Sequence, residues 1–254
     1  MSAPLLDLKD LHKRLQTQLV LKGVNLEIHE GENMVIIGRS GGGKSVLLRH
    51  IMGLLRPDKG HVFFRGRDLT LISEENLTTV RREMGMLFQN GALFDSLSVG
   101  ENVAFSLREE GKLSETEIKK EVARALKIVD LPGQENKMPS EISGGMKKRA
   151  GLARAMALDP DILFFDEPSA GLDPISSRLL DDLILELRDS LGATIVVVTH
   201  ELASLFAIGS NSVFLDPVSK RMIASGNPKQ LLAESEDPRV LSFLTRGEKG
   251  MTTP

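Results

Sequence analysis

The segment from Gly38 to Ser45 constrains the fold of this chain more than any other part of its sequence. It reads GRSGGGKS and fits the pattern GxxxxGK[ST]. The apolar run from Met34 to Ile37 lies directly before it and predicts a strand buried on both faces, as in parallel sheets. The residues from Ser45 to Met52 predict a helix. A buried strand, a glycine-rich loop and a helix in this order predict a phosphate-binding loop.

The chemistry of this loop follows from its residue types. Glycines allow backbone N–H groups to converge on a β-phosphate, and the start of the helix adds a favourable dipole. Lys44 can reach the β- and γ-phosphate oxygens, and Ser45 can ligate Mg²⁺. A glycine-rich turn with a solvated lysine is the alternative, and the flanking strand and helix disfavour it. The predicted phosphate-binding residues are Gly38, Arg39, Ser40, Gly41, Gly42, Gly43, Lys44 and Ser45.

Strands and helices alternate along most of the rest of the chain. Leu6–Leu11 and Leu19–Ile28 predict a β-rich start. Further strands are predicted at 62–64, 84–88, 162–165 and 194–198, a helix at 175–191, and a final strand pair before a short helix. Between about residues 90 and 158 the strand pattern is absent, and the capping box Ser114-x-x-Glu117 opens a helix that runs to about Val129.

The size and composition of the chain fit one globular domain. It has 254 residues, of which 41% are hydrophobic and 26% charged. We predict an α/β fold: a P-loop NTPase (RecA-like) core with a parallel sheet, an antiparallel β edge near the N-terminus and an inserted helical subdomain. The core covers about residues 1–89 and 159–246, the helical subdomain about 90–158, and residues 247–254 a flexible tail.

Composition also excludes several classes of function. The absence of cysteine excludes disulfide frameworks and thiolate metal sites. The net charge of −3 argues against a dedicated nucleic-acid binder, which needs clustered basic residues. No apolar run approaches the roughly 20 residues of a membrane span. The N-terminus lacks the pattern of a signal peptide, so we expect the chain to stay where it is made.

A second element of phosphate chemistry follows the apolar run 162–165. Asp166 and Glu167 come directly after this predicted strand. A carboxylate at a strand end can hold Mg²⁺ through water, and a second one can polarise the attacking water. We assign the first role to Asp166 and the second to Glu167. A helix cap is the alternative interpretation of such an acidic pair.

Ile142–Met146 reads ISGGM, precedes a basic helical stretch and resembles the ABC signature sequence LSGGQ. Gln89 is placed as a Q-loop glutamine, Ser169–Asp173 resembles the D-loop, and His200 stands where this family has its switch histidine. Taken singly, these features have ordinary alternatives: a serine-capped helix, a solvated glutamine, a structural histidine. Six segments in family order from residue 38 to 200 favour the ABC interpretation.

The resemblance implies an ATPase that binds ATP and Mg²⁺ and hydrolyses ATP. It implies catalytic roles for Glu167, His200 and Gln89, nucleotide contacts from Gln89, Ser143, Gly144, Gly145 and Asp173, and metal contacts from Ser45, Gln89 and Asp166. It also implies a head-to-tail homodimer with a separate multi-span permease, at the cytoplasmic face of the inner membrane. We expect residues 89–105 to contact the permease.

A narrower resemblance is to the Mla/Mce-associated ATPases, which energise lipid movement between membranes. It rests on residues 88–97, Met146, residues 166–175 and residues 237–244. It implies phospholipid transport, an MCE-type lipid-binding partner and a small cytosolic accessory subunit. The alternatives are an importer ATPase for a polar solute and a soluble ABC ATPase that acts on nucleic acid or ribosomes. A scaffold without hydrolysis is disfavoured by Glu167 and His200.

One position departs from the family pattern. ABC cassettes commonly stack adenine on an aromatic residue in the N-terminal strand region. The corresponding residue here is Leu15, and the chain has no Tyr or Trp. His12 is the nearest partial substitute. We therefore predict weaker recognition of the base than of the phosphates.

Overall fold

The computed structural model describes residues 3–247 and divides them into two compact units. The split unit comprises residues 3–79 and 194–247, and the inserted unit comprises residues 80–193. The predicted helical subdomain, about residues 90–158, falls within the inserted unit and stays a prediction as a domain. The predicted tail lies, apart from Gly247, outside the described residues.

The described residues form ten strands and nine α-helices. The strands are β1 (Leu6–Leu15), β2 (Gln18–Ile28), β3 (Asn33–Ile37), β4 (Lys59–Phe64), β5 (Arg67–Asp68), β6 (Met84–Leu87), β7 (Ile162–Asp166), β8 (Thr194–Val198), β9 (Asn211–Leu215) and β10 (Met222–Gly226). The helices are α1 (Lys44–Ile51), α2 (Glu74–Arg81), α3 (Val99–Glu110), α4 (Glu115–Ile128), α5 (Gly144–Met156), α6 (Pro174–Leu191), α7 (Leu202–Ile208), α8 (Pro228–Glu234) and α9 (Pro238–Leu244). No helix among residues 3–247 combines the length and apolarity needed to cross a bilayer.

The split unit contains a parallel set of strands centred on β3. All five residues of β3 are buried, and the strand pairs in parallel with both β8 and β9. Such two-sided burial explains the unbroken apolar run of its sequence. β10 closes this side in an antiparallel pair with β9. A second, antiparallel sheet of order β2-β1-β4-β5 forms the predicted N-terminal β edge.

The inserted unit combines the parallel strand pair β6–β7 with helices α3 to α6. Helices α3 and α4 pack on α5. The capping box predicted at Ser114 is confirmed, because Ser114 and Glu117 each accept a hydrogen bond from the other's backbone N–H. Ser98 and Glu101 form a second capping box at the start of α3. These caps satisfy N–H groups that a helix leaves unpaired at its start.

Candidate nucleotide-binding and hydrolysis site

The phosphate loop leaves the carboxyl end of β3 at Gly38, whose φ is 148°. A Cβ at this position would lie 2.3 Å from the carbonyl oxygen of Leu215, at the end of β9. Gly43 ends the loop with a left-handed φ of 93° as the N-cap of α1. Only glycine fits the first position and adopts the second without strain, so the glycines of the motif are required by backbone geometry.

Lys44 is buried, and its side chain folds back over its own loop. Its Nζ donates hydrogen bonds to the carbonyl oxygens of Gly38, at 2.9 Å, and Arg39, at 3.5 Å. The residue as a whole is only 8% exposed. The ammonium of Lys44 therefore lies inside the curve of the loop, where it can neutralise the charge of a bound phosphate group.

The start of α1 is a favourable place for an anion. Gly43 caps this helix without a side-chain hydrogen bond, and the first turn contains no acidic residue. The N–H groups and the dipole at a helix start attract negative charge. Ser45 lies in this first turn and is half-buried. Its hydroxyl is thus near the position that the motif assigns to a Mg²⁺ ligand, and this role stays a prediction.

Leu15 is the last residue of β1 and pairs with Gln18 across the turn to β2. It is 41% exposed. The next residues of the hairpin contact the phosphate loop, because a Cβ at Gly43 would lie 3.1 Å from Val20 Cγ1 and 3.0 Å from Leu21 Cδ2. The hairpin that carries Leu15 therefore packs against the loop, which is where a base-covering residue is expected.

His12, the predicted partial substitute, is engaged elsewhere on the same strand. Its Nε2 lies 2.8 Å from Asp10 Oδ1, and Asp10 also pairs with Lys59 at 2.7 Å. The hydrogen bond from Lys59, followed by that from His12, lowers the pKa of Asp10 below its usual range. These contacts hold the ring of His12 against Asp10.

His200 lies at the same edge of the sheet as the phosphate loop. Ile36 of β3 pairs with Val198 of β8, and the two strands are parallel. Gly38 and His200 each follow two residues later, at the carboxyl ends where α/β proteins bind their ligands. His200 is exposed and borders an open cavity of about 430 Å³, which is also lined by Glu201, Leu202, Ala203, Phe243 and Arg246.

In the inserted unit, Asp166 ends β7 and Glu167 follows in a left-handed conformation with φ 50°. The helix-cap alternative for this pair is wrong, because the next helix, α6, is capped by Asp173. A left-handed backbone costs a non-glycine residue about 1–2 kcal/mol. Such strain persists where the surrounding structure holds it and is concentrated at functional sites. Glu167 is one of nine described non-glycine residues with a positive φ, and its catalytic role stays a prediction.

Gln89 lies at the same strand edge as Glu167. Leu87 of β6 pairs in parallel with Phe165 of β7, and the two candidate residues each follow two positions later. Gln89 is exposed in a turn in which the N–H of Gly91 donates to the carbonyl oxygen of Phe88 at 2.8 Å. The structure therefore brings Gln89 and Glu167 to one edge, and their catalytic roles stay predictions.

Asp173 caps α6 with both carboxylate oxygens. Its Oδ1 accepts from the N–H groups of Ile175 and Ser176, each at 3.0 Å, and its Oδ2 accepts from the Ser176 hydroxyl. The Ser176 hydroxyl, with these backbone groups, lowers the pKa of Asp173. A nucleotide that contacts Asp173 would therefore approach a carboxylate that already accepts three hydrogen bonds.

The signature segment forms the start of α5. Ser143 is the N-cap, and its Oγ accepts from the Met146 N–H at 3.3 Å. The serine-capped helix that was one interpretation is therefore present. The same helix start is also open, because a Cβ at Gly144 would meet no atom within 4 Å. With no acidic residue in its first turn, it provides a second N-terminus suited to an anion.

Comparison with known proteins identifies the family of this site. A sequence profile described as ABC transporter matches residues 21–170. The chain belongs to the ABC transporter family. The P-loop α/β fold class and the assignment as an ATP-hydrolysing ABC subunit, both predicted from the sequence, are confirmed.

Two curated relatives in the ABC family are equally similar to the chain. The intermembrane phospholipid transport system ATP-binding protein MlaF of Haemophilus influenzae is 42% identical over 248 residues, which cover 98% of this chain and 92% of that protein. The probable ribonucleotide transport ATP-binding protein mkl of Mycobacterium leprae is 42% identical over 239 residues, which cover 94% of this chain and 68% of that protein.

Two solved ABC cassettes share the fold. The dimeric post-hydrolysis structure of the cassette MJ0796 bound to ADP and Pi has a TM-score of 0.80 and 31% identity, covering 87% of this chain and 98% of its own. CbiO1 of Clostridium perfringens, part of an ABC transporter complex, has a TM-score of 0.84 and 32% identity, covering 96% and 97%. ABC cassettes form dimers and work with a membrane permease.

Two anchoring side chains of this ABC cassette were missed by the sequence analysis, which placed them in a basic stretch or left them unassigned. Lys148 is 5% exposed, and its Nζ donates to the carbonyl oxygens of Pro168 and Ala170. Arg154 donates to the carbonyl oxygens of Gly91, at 3.3 Å, and Ala92, at 2.8 Å. Nothing in their local sequence pattern distinguishes them from solvated basic residues.

Proposed function

We propose that this chain is the ATPase subunit of a system that moves phospholipids between membranes. The observation that carries the proposal is the similarity to MlaF over nearly the full length of both proteins. The relative named for ribonucleotide transport is as similar in identity, but the chain covers a smaller share of it. Identity alone does not separate the two, and residues 88–97, Met146 and residues 237–244 add weight to the lipid branch.

The C-terminal part of that resemblance is an integral part of the split unit. Helix α9 buries Val240, and Phe243 packs edge-on against Phe214 with ring centroids 5.1 Å apart. Arg239 binds Asp216, a buried carboxylate, at 2.9 Å. Residues 239–243 therefore pack against the rest of the split unit. The resemblance of this segment to the lipid branch lies in a structured helix and not in a loose tail.

In the proposed reaction, the backbone of Gly38–Ser45 and the ammonium of Lys44 bind the phosphates of ATP. Glu167 orients the attacking water, and Gln89 and His200 contact the γ-phosphate side. Ser45 and Asp166 supply oxygen ligands of the kind Mg²⁺ uses together with nucleotide phosphates. No group of three or more acidic or histidine side chains that could hold a metal ion by itself is found among residues 3–247. When bound, Mg²⁺ would neutralise charge on the phosphates.

The active form in this proposal is a head-to-tail homodimer with two ATP molecules. Each chain offers two helix starts suited to a phosphate, at α1 and at α5. In the dimer, Ser143, Gly144 and Gly145 of one subunit would contact the ATP held on α1 of the other, with Asp173 nearby. The dimeric state of the related cassette MJ0796 supports this arrangement.

The proposed contact surface for the permease lies in the inserted unit. Phe88, Phe94 and Phe105 are 43%, 45% and 41% exposed. The rings of Phe94 and Phe105 lie 5.0 Å apart, and the guanidinium of Arg154 lies 5.7 Å from the Phe94 centroid. Exposed aromatic rings beside an arginine are typical of protein interfaces. Through this surface the subunit would be peripheral at the cytoplasmic face of the inner membrane.

Co-purification tests the lipid assignment. A tagged chain is expressed in its native cells, and the complex is isolated from membranes solubilised in detergent. We expect a multi-span permease, an MCE-type lipid-binding protein, a small cytosolic subunit and bound phospholipid, with ATPase activity that responds to phospholipid. A complex that carries no lipid and responds only to a polar solute with its binding protein would overturn the lipid assignment and establish the importer alternative.

A further inference from the structure

Lys148 lies four residues after Gly144 on α5, and it is one of the few charged side chains buried in the described part of the chain. Its Nζ donates to the carbonyl oxygen of Pro168, and to that of Ala170 at 2.6 Å. A buried ammonium is costly unless it is hydrogen-bonded. Its two carbonyl partners therefore form a specific anchor, unlike the mobile contacts of an exposed lysine.

The loop that Lys148 holds starts at Glu167 and ends at Asp173. Glu167 has the left-handed φ of 50°, and its carbonyl oxygen accepts from the Ala170 N–H at 3.2 Å. A second turn closes with the Leu172 N–H donating to Ser169 at 3.0 Å. The ammonium binds carbonyls on both sides of Ser169, so it fixes the first half of the loop, next to Glu167.

We propose that Lys148 is a positioning residue for ATP hydrolysis, which holds the loop after β7 so that Glu167 keeps its left-handed conformation. A strained backbone persists only when its surroundings over-determine it, and the two hydrogen bonds from Lys148 supply such a constraint. Lys148 acts through Glu167 and touches no substrate. The proposal rests on the role proposed above for Glu167.

Lys148 lies on the same helix as the signature segment. The first turn of this helix is the signature segment, Ser143 to Gly145, and Lys148 lies one turn further along the same rigid element. A shift of this helix would be passed to the Glu167 loop in part through the Lys148 side chain. Lys148 thereby links the signature segment to the hydrolytic carboxylate within one chain.

The test compares Lys148→Met, Lys148→Arg and Lys147→Met in the purified full chain. Methionine keeps most of the buried volume and removes the donors, and arginine keeps donors and charge. Lys147 is the matched control, because it lies on the same helix and contacts neither carbonyl oxygen. The measurements are kcat and KM for ATP, thermal unfolding, and amide hydrogen exchange of residues 168–173.

We expect Lys148→Met to lower kcat about tenfold to 10²-fold, the scale of a small misplacement of a catalytic group, with KM changed less than about threefold. Exchange in residues 168–173 should rise, Lys148→Arg should recover part of kcat, and Lys147→Met should behave as wild type. If Lys148→Met does not fold, Lys148→Gln takes its place: its side chain is shorter and uncharged, and we expect kcat and exchange to change in the same directions.

Wild-type kcat with unchanged exchange in Lys148→Met overturns the proposal. So does an equal loss in Lys147→Met, which would show an effect of charge alone, or a loss confined to KM. Failure of the underlying assignment has a different signature: wild-type turnover in Glu167→Gln removes the role of Glu167, whereas raised exchange in Lys148→Met still supports the anchor.

Discussion

The two helix starts proposed to bind phosphate, at α1 and at α5, are built in different ways. The start of α1 is preceded by a loop that encloses the buried ammonium of Lys44. The start of α5 has a serine cap and two glycines, and its nearest buried cation, Lys148, donates to the loop after β7 instead. The first site supplies both dipole and charge, and the second supplies the dipole and an open approach.

This difference indicates that the two helix starts have different roles in ATP binding. A site with its own charge can bind nucleotide within a single subunit, whereas an open helix start adds only a favourable terminus. We infer that α1 sets the affinity for ATP in the monomer. The start of α5 contributes when a second subunit presents its nucleotide, so changes there should affect dimer formation and hydrolysis and leave monomer affinity unchanged.

The largest effect is expected for Glu167→Gln, which separates binding from turnover. Glutamine keeps the shape of the side chain but cannot polarise water as a carboxylate does, so phosphate release should fall about 10²-fold or more. ATP binding should stay close to wild type. Glu109→Gln, at an exposed position on α3, is the control and should change neither quantity. Wild-type phosphate release by Glu167→Gln would contradict the assignment.

The next effect is expected at the first helix start. Lys44→Ala removes a buried donor whose charge-assisted hydrogen bond to phosphate is worth about 1.5–3 kcal/mol. The affinity for ATP should therefore fall about tenfold to 10²-fold, as measured by calorimetry at concentrations where the chain is monomeric. Lys22→Ala, which removes an exposed lysine from β2, is the matched control. Unchanged affinity in Lys44→Ala would mean that the dipole of α1 suffices.

The sequence predicted the first site better than the second. The apolar run of β3, the glycine pattern and Lys44 report the loop directly, because each residue type is required by the backbone or by phosphate. At α5 the sequence indicated the serine and the glycines. It did not reveal that Lys148 is buried, since a lysine in the run Lys147–Arg149 is normally solvated and only tertiary packing decides otherwise.

Other features were not predicted because their local sequence carries no signal for them. Helix α7 follows Glu201 without a side-chain cap, so its start carries no signature in the sequence. Strand β5 has two residues, too few for any periodicity. The left-handed backbone of Glu167 depends on the loop around it. The capping box at Ser114 is a local pattern, and its prediction from the sequence is confirmed.

A negative charge at the start of α5 tests whether this helix start acts in the dimer and not in the monomer. Gly144→Asp places a carboxylate where the phosphate of a partner's nucleotide is proposed to bind, and the added Cβ meets no atom within 4 Å, so the fold should tolerate it. Loss of the favourable helix start, worth about 1–2 kcal/mol, should weaken ATP-driven dimers about tenfold. The background is Glu167→Gln, and the measurement is sedimentation velocity with ATP.

Gly144→Ala is the matched control for that variant and should leave dimer formation nearly unchanged, because it adds the Cβ without the charge. Monomer affinity for ATP should be the same in all three proteins. If Gly144→Asp weakened ATP binding to the monomer as much as Lys44→Ala does, the assignment of monomer affinity to α1 alone would be wrong.

The smallest effect is expected at Leu15, on the hairpin that packs against the first site. An aliphatic side chain can cover one face of a purine but offers no π-stacking, which is worth roughly 1–3 kcal/mol for a base on an aromatic ring. The phosphate contacts of Gly41 to Ser45 should therefore dominate binding. We expect only a modest preference for ATP over GTP, and Leu15→Tyr should raise the affinity for ATP severalfold, up to about tenfold.

His12→Ala distinguishes the two residues that could cover the base. Because the ring of His12 is held by Asp10 at 2.8 Å, we expect its loss to change ATP affinity less than Leu15→Tyr does. The measurement is competitive binding of ATP and GTP to the wild type and both variants. Strong selectivity for ATP that neither change alters would show that the base is recognised by other residues, and that the affinity at α1 does not rest on phosphate contacts alone.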